Sequence, residues 1–178
     1  MRIITPSDFT TTRWKNGGGI THEIARVDRN GSLLWRLSLA EVSSDGPFSA
    51  FEGLARILTV VEGPGMNLHG PDAVIRARPN APVAFSGSLP IHGELLDGPV
   101  KNLNLIYDPA RIEASVTRLT GPIKLAPNAD LTALYVTAGS VSFDGTAASK
   151  GDLALGQPGE LDLPANCAAL NCTLHDRG

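Results

Sequence analysis

At 178 residues, 42% of them hydrophobic, the chain is long enough to bury one good core or two smaller ones without covalent staples. Fifteen Lys and Arg against 18 Asp and Glu leave a net charge of −3, and no basic stripe interleaved with aromatics occurs, so nucleic acid is not an expected partner. No stretch approaches the roughly 20 apolar residues of a membrane span, and the opening Met1-Arg2-Ile3-Ile4-Thr5-Pro6 lacks a signal-peptide pattern. The expectation is a soluble, cytoplasmic protein with no membrane partner.

The chain is cut by turn signals into short pieces. Asn30-Gly31, Asp45-Gly46-Pro47, Glu62-Gly63-Pro64-Gly65, His69-Gly70-Pro71, Asp97-Gly98-Pro99, Gly121-Pro122, Asp144-Gly145 and Gly156-Gln157-Pro158-Gly159 leave segments too brief for helices. Strands are predicted over 20–27, 33–42, 55–61, 73–78, 83–85, 102–107, 112–119 and 131–137, with shorter ones near 141–143, 153–155 and 168–174. In 33–42 the alternation is clear: Leu33, Trp35, Leu37 and Leu39 fall on one face, and Leu34, Arg36, Ser38 and Ala40 on the other. Phe51, Leu54, Ala55 and Leu58 match a helical spacing, but Gly53 and the run Ile57-Leu58-Thr59-Val60-Val61 favour a strand.

A faint internal repeat organises these pieces. Thr59-Val60-Val61-Glu62-Gly63, followed by Met66, Leu68 and Gly70, is similar to Tyr135-Val136-Thr137-Ala138-Gly139, followed by Val141, Phe143 and Gly145. Each copy reads as a strand, a glycine hairpin and an alternating strand, a pattern that resembles the double-stranded β-helix of cupins. Two similar hairpins also arise in all-β chains without any duplication.

Three clusters carry candidate chemistry. In Trp14-Lys15-Asn16-Gly17-Gly18-Gly19, glycines let a ligand or a strand approach the backbone and can leave N–H groups facing a concavity, flanked by the Lys15 cation and the Asn16 amide. A flexible loop is the plainer alternative. Arg36 and Ser38 share a strand face, which supplies a guanidinium fork and a hydroxyl suited to a carboxylate. Alternatively, Arg36 and Arg56 pair with Glu23, Glu41 or Glu62 at a wet surface. Asn102 and Asn104 share the face of another strand.

Metal chemistry is not expected. His22, His69, His92 and His175 are scattered, and Pro71 stands where a cupin metal motif would place a histidine after His69. Cys167 and Cys172 are too few for a four-ligand zinc site and read as two reduced thiols. No catalytic triad is evident, and no cofactor is expected.

Taken together, several stretches resemble the HutD/Ves family. They are Trp14 to Gly19 with Thr21 and Glu23; Trp35-Arg36 with Ser38 and Ala40; Gly46-Pro47-Phe48-Ser49 with Phe51, Gly53 and Arg56; and Phe85-Ser86-Gly87 followed by Gly98-Pro99-Val100 and Asn104. The resemblance implies an all-β bicupin, two tandem RmlC-like jelly-roll barrels packed together. The barrels would divide at 1–108 and 109–178, with strands exchanged between them, and the protein would form a homodimer. It implies a binding or regulatory role associated with histidine utilisation, the ligand being a small carboxylate of the urocanate or formylglutamate class. Lys15, Asn16, Thr21, Glu23, Arg36, Ser38, Phe48, Arg56, Asn102 and Asn104 would line the site. A metal-independent isomerase or lyase using Glu23 or His92 for proton transfer is the alternative. Two departures from the family's pattern are Asn102, where an aspartate is usual, and Leu105-Ile106-Tyr107 after Asn104, where a methionine and arginines are usual.

Overall fold

The computed structural model describes residues 2–126, 128–157 and 159–178. The expected turn at 156–159 includes Pro158, which lies outside them. The described residues contain β-strands and one 3-10 turn at Pro6–Asp8. The chain forms two compact units: Thr10–Pro109, and the stretch ending at Phe9 together with Ala110–Gly178.

The first strand, β1 (Arg2–Ile4), belongs to the second of these units. Thr10–Pro109 contains β2 (Thr10–Arg13), β3 (Gly19–Arg29), β4 (Ser32–Val42), β5 (Gly46–Pro47), β6 (Ala55–Glu62), β7 (Met66–His69), β8 (Val74–Ala77), β9 (Val83–Ser86), β10 (His92–Leu95) and β11 (Val100–Tyr107). Then come β12 (Ile112–Thr120), β13 (Ile123–Leu125), β14 (Leu131–Ala138), β15 (Ser140–Phe143), β16 (Thr146–Ser149), β17 (Leu153–Gly156), β18 (Leu161–Leu163) and β19 (Ala168–Asp176).

Local sequence explains the pairing around the site. Asn30 and Gly31, both at positive φ (55° and 77°), form a two-residue connection between β3 and β4, the conformation that suits the right-handed twist of a hairpin. That turn sets the register, so that Arg29 pairs with Ser32 and Thr21 with Ala40. A bulge at Ile24 shifts the ladder between Glu23, opposite Ser38, and Ala25, opposite Leu37. The segment from Ala55 is strand, as the β-branched run predicts.

In Thr10–Pro109 the strands make a six-stranded sheet, β2-β3-β4-β11-β6-β9, and a four-stranded sheet, β5-β10-β7-β8. Ala40, Val42, Leu58, Val60 and Val100 of the first pack with Met66, Leu68, Ala77 and Ile91 from the side of the second. The other unit has a five-stranded sheet, β1-β17-β14-β19-β12, and a four-stranded sheet, β13-β18-β15-β16, around Leu134, Val136, Phe143, Leu161 and Leu163.

Two expectations are corrected, the glycine hairpins and the closed barrels. The repeated glycine turns are not hairpins: β6 and β7 lie in different sheets, as do β14 and β15. Gly63 and Gly139 (φ 93° and 70°) carry the chain across from one sheet to the facing one, so each copy closes over its own core. The sheets are open, without hydrogen-bonded closure into barrels among the described residues. Residues 2–4, placed within 1–108 by a division that allowed for exchanged strands, pair through β1 with β17 of the second unit; a free edge strand there gains a backbone partner and packs Ile3 against the core.

Candidate functional site

A cavity of about 530 Å³ opens within Thr10–Pro109 and is bordered by both β-sheet and loop residues. Its sheet wall follows from strand register. Arg56 on β6 lies beside Ile106 on β11, which lies beside Arg36 on β4. One step along, Asn104 pairs with Ser38, which pairs with Glu23. Arg36, Ser38, Ala40, Arg56, Asn104 and Ile106 all line the cavity, as their common side of the pleat requires.

The facing wall comes from the loop after β5. The Phe48 N–H donates to the Ile91 carbonyl at 2.8 Å, and the Phe51 N–H to the Gly87 carbonyl at 2.7 Å. Gly93 leaves the space that the Phe48 ring fills, for a Cβ there would stand 2.7 Å from the ring. Trp14 meets Phe48 edge-on, with ring centroids 5.9 Å apart, and its indole N–H donates to the Thr21 hydroxyl at 2.8 Å.

Arg56 is the unusual group. It is only 5% exposed, and its guanidinium donates to the Ser49 carbonyl at 3.3 Å and to Asn104 Oδ1 at 3.0 Å. Its Nε has no partner. Phe48, Phe51 and Phe85 surround the guanidinium carbon at 5.6, 5.4 and 5.1 Å from their ring centroids, where ring quadrupoles favour a cation. No carboxylate among the described residues pairs with it. Burial, and then the nearby Arg36 charge, push its pKa down to about 10, still far above neutrality, so it enters the site as a cation.

Arg36 differs. Its Nε stands 2.6 Å from Glu23 Oε2, yet the N–H does not point along the contact, so the pair is ionic rather than a well-aligned hydrogen bond. Behind Asn104, its amide donates to Asn102 Oδ1. Asn102 is fully buried and its own NH₂ lacks a partner, a polar cost accepted inside the sheet.

Of the sequence candidates, Lys15, Asn16, Thr21, Arg36, Ser38, Phe48, Arg56 and Asn104 border the cavity. Glu23 and Asn102 do not; each stands one contact behind, on Arg36 and Asn104 respectively. The surface-pairing alternative describes Arg36 but not Arg56. His92 lies on β10 and is not a lining residue. The triple glycine serves a different purpose from the one expected. The Gly17 N–H donates to the Trp14 carbonyl and the Gly18 N–H to Asn16 Oδ1, both at 3.0 Å, so these amides are spent locally. At Gly19 a Cβ would sit 2.5 Å from the Glu41 carbonyl and 3.0 Å from the Trp14 ring; glycine there lets β3, β4 and Trp14 close up.

Arg13, Thr12, Pro47, Ser49, Phe51 and Ile106 also border the cavity and were not singled out as ligand contacts. Phe51 and Ser49 belong to the motif that carried Phe48, so their proximity was available as a signal. Thr12 and Arg13 sit on a short, exposed polar strand with no apolar alternation to reveal it. Among the described residues no group of three His, Cys, Asp or Glu side chains is placed to hold a metal ion.

Comparison with known proteins places the chain in a family and a fold. The HutD family model matches residues 6–178. A 21.2 kDa protein encoded in the hutC 3′ region of Pseudomonas putida is 34% identical over 149 residues, covering 79% of this chain and 76% of that protein. Protein Ves of Cronobacter sakazakii is 31% identical over 118 residues, 65% of each chain. The solved structure of HutD from Pseudomonas fluorescens SBW25 superposes with a TM-score of 0.89 at 29% identity, covering 99% of both chains. At about 10% identity the fold alone extends to cupin-like proteins, among them Escherichia coli pirin YhhW (TM-score 0.68) and an oxalate decarboxylase (TM-score 0.66). With nearly its whole length matched by the family model, the chain belongs to the HutD/Ves family.

Proposed function

We propose that the cavity of Thr10–Pro109 binds a small carboxylate metabolite and that the protein acts as a binding or regulatory component rather than performing a pathway step. The observation that carries this reading is Arg56: a buried, charged guanidinium at a cavity wall, with neutral hydrogen-bond acceptors and no carboxylate partner among the described residues. Such a group is costly to bury unless an anion completes it. Ser38, Asn104 and the guanidinium fork offer directional polar contacts, while Trp14, Phe48, Phe51 and Ile106 offer an apolar body contact.

Family membership and a relative from the hutC region support an association with histidine utilisation. This makes urocanate and formylglutamate the first ligands to try. Glu23, the base of the enzymatic alternative, is engaged as the counter-ion of Arg36. The matching order of strands in the two units supports a tandem cupin duplication, and a cytoplasmic homodimer completes the reading.

Calorimetric titration tests it. The wild type is expected to bind one of these acids saturably, and Arg56→Met to weaken that binding by about 30-fold or more, the scale of a lost charge-assisted contact to a buried anion. Absence of binding by the wild type, or equal affinity in Arg56→Met, would sink the proposal.

A further inference from the structure

The two arginines of the sheet wall carry different charge balances. Arg36 and Arg56 are separated on the sheet only by Ile106, close enough for Arg36 to depress the basicity of Arg56. Glu23 neutralises Arg36 through the 2.6 Å contact. Among the described residues Arg56 hydrogen-bonds to neutral acceptors alone, the Ser49 carbonyl and Asn104 Oδ1. The inner wall therefore holds two cations, with one anion a contact behind it on Arg36, a net charge of one positive unit. Arg13 and Lys15 add positive charge at the rim, but both are exposed, where water and salt screen them.

We infer that Glu23 sets the charge of the head group the cavity accepts: by cancelling Arg36 it leaves one net positive charge at depth, matched to a singly charged head group, such as one carboxylate of urocanate or formylglutamate, and mismatched to a doubly charged one. This rests on the carboxylate reading of the same cavity and adds a selection rule to it. A doubly charged head group at Arg56 would bring one uncompensated charge against a guanidinium that is only 5% exposed and would place that charge on the side of the wall where Glu23 carries its own. The bulge at Ile24 displaces the ladder just beyond Glu23, so the counter-ion occupies a specified place in the sheet rather than the end of a mobile loop. Neither Glu23 nor its charge is needed to fill the core, because its side chain is 30% exposed.

Charge removal by substitution separates this rule from simple binding. Affinities for urocanate, a monocarboxylate, and for inorganic sulfate, a dianion at all working pH values, are measured on the full chain of wild type and Glu23→Gln. The expected result is a wild type that prefers urocanate, and a sulfate-to-urocanate affinity ratio that rises about tenfold or more in Glu23→Gln, the effect of removing one like charge from a partly buried site. The double variant Glu23→Gln/Arg36→Met returns the net charge to one, and the ratio should fall back toward the wild-type value. Should Glu23→Gln not fold, Glu23→Ser removes the same charge with a smaller side chain. An unchanged ratio in a folded Glu23 variant, with urocanate still bound, overturns the selection rule and leaves the carboxylate reading standing. A wild type that binds no carboxylate while sulfate binding still rises in Glu23→Gln overturns that reading and retains the charge rule. A wild type that binds neither probe, with no gain in the variant, overturns both.

Discussion

The order β4-β11-β6-β9 facing β5-β10-β7-β8 in Thr10–Pro109 recurs as β12-β19-β14-β17 facing β13-β18-β15-β16 in the other unit. Matching Gly63 to Gly139 pairs Arg56 with Thr132. The row Arg56, Ile106, Arg36 then corresponds to Thr132, Thr173, Ser115, and the row Leu58, Asn104, Ser38 to Leu134, Asn171, Thr117. At each position where the first unit has an arginine, the second has a small neutral hydroxyl. Both interiors hold fully buried apolar side chains, Phe143, Leu161 and Leu163 in the second unit and Leu58, Met66 and Leu68 in the first, and beside its core the first also has a cavity edged by cations. One arrangement of strands thus supports both a packed core and a charged recess. The choice is made by a few inward-facing side chains, not by topology.

Four substitutions probe that contrast, beginning with the largest expected effect. Phe143→Ala removes a fully buried ring from the filled unit and should cost about 3–5 kcal/mol in urea unfolding; a loss below about 1 kcal/mol would mean that this interior is less tightly filled than its burial implies. Next come Gly63→Ala and Gly139→Ala, the matched sheet-crossing corners. Each is at positive φ, and each should cost about 1–3 kcal/mol. Gly63 should suffer more, since its Cβ would press on the Pro99 carbonyl, whereas that of Gly139 meets the Cys167 sulfur, a side-chain atom that can turn aside. Equal thermal shifts would weaken that distinction. The smallest effect is expected from Arg56→Met: stability should stay level or rise by about 1–2 kcal/mol, because an uncompensated buried charge is exchanged for apolar volume. A loss above about 2 kcal/mol in denaturant titration would make Arg56 a structural residue and close the gap between the two units.

The longer strands were legible because their chemistry is local. Alternation in 33–42, the Asn30-Gly31 turn and the β-branched run after Ala55 each act over a few residues, and β4 and β6 appear close to where those signals put them. β5, β13 and β18 are only two or three residues long, too short for a period to show. β2 is exposed along its whole length, so its place is determined by the strand it joins. The grouping of Lys15, Asn16, Arg36, Arg56 and Asn104 around one cavity was accessible from the family motifs. Their different electrostatic roles were not, since the contrast between a neutralised Arg36 and an unneutralised Arg56 depends on pairings across strands far apart in sequence.

β2 and β3 have no counterparts in the strand order of the second unit, yet they and the turn joining them contribute Thr12, Arg13, Trp14, Lys15, Asn16 and Thr21 to the cavity border. The recess is therefore partly built by strands outside the recurring strand order, hung from an edge whose loss would spare the eight-strand plan. Its entrance can diversify by drift in a peripheral ribbon while the guanidinium floor, embedded in the shared plan, holds the chemistry constant.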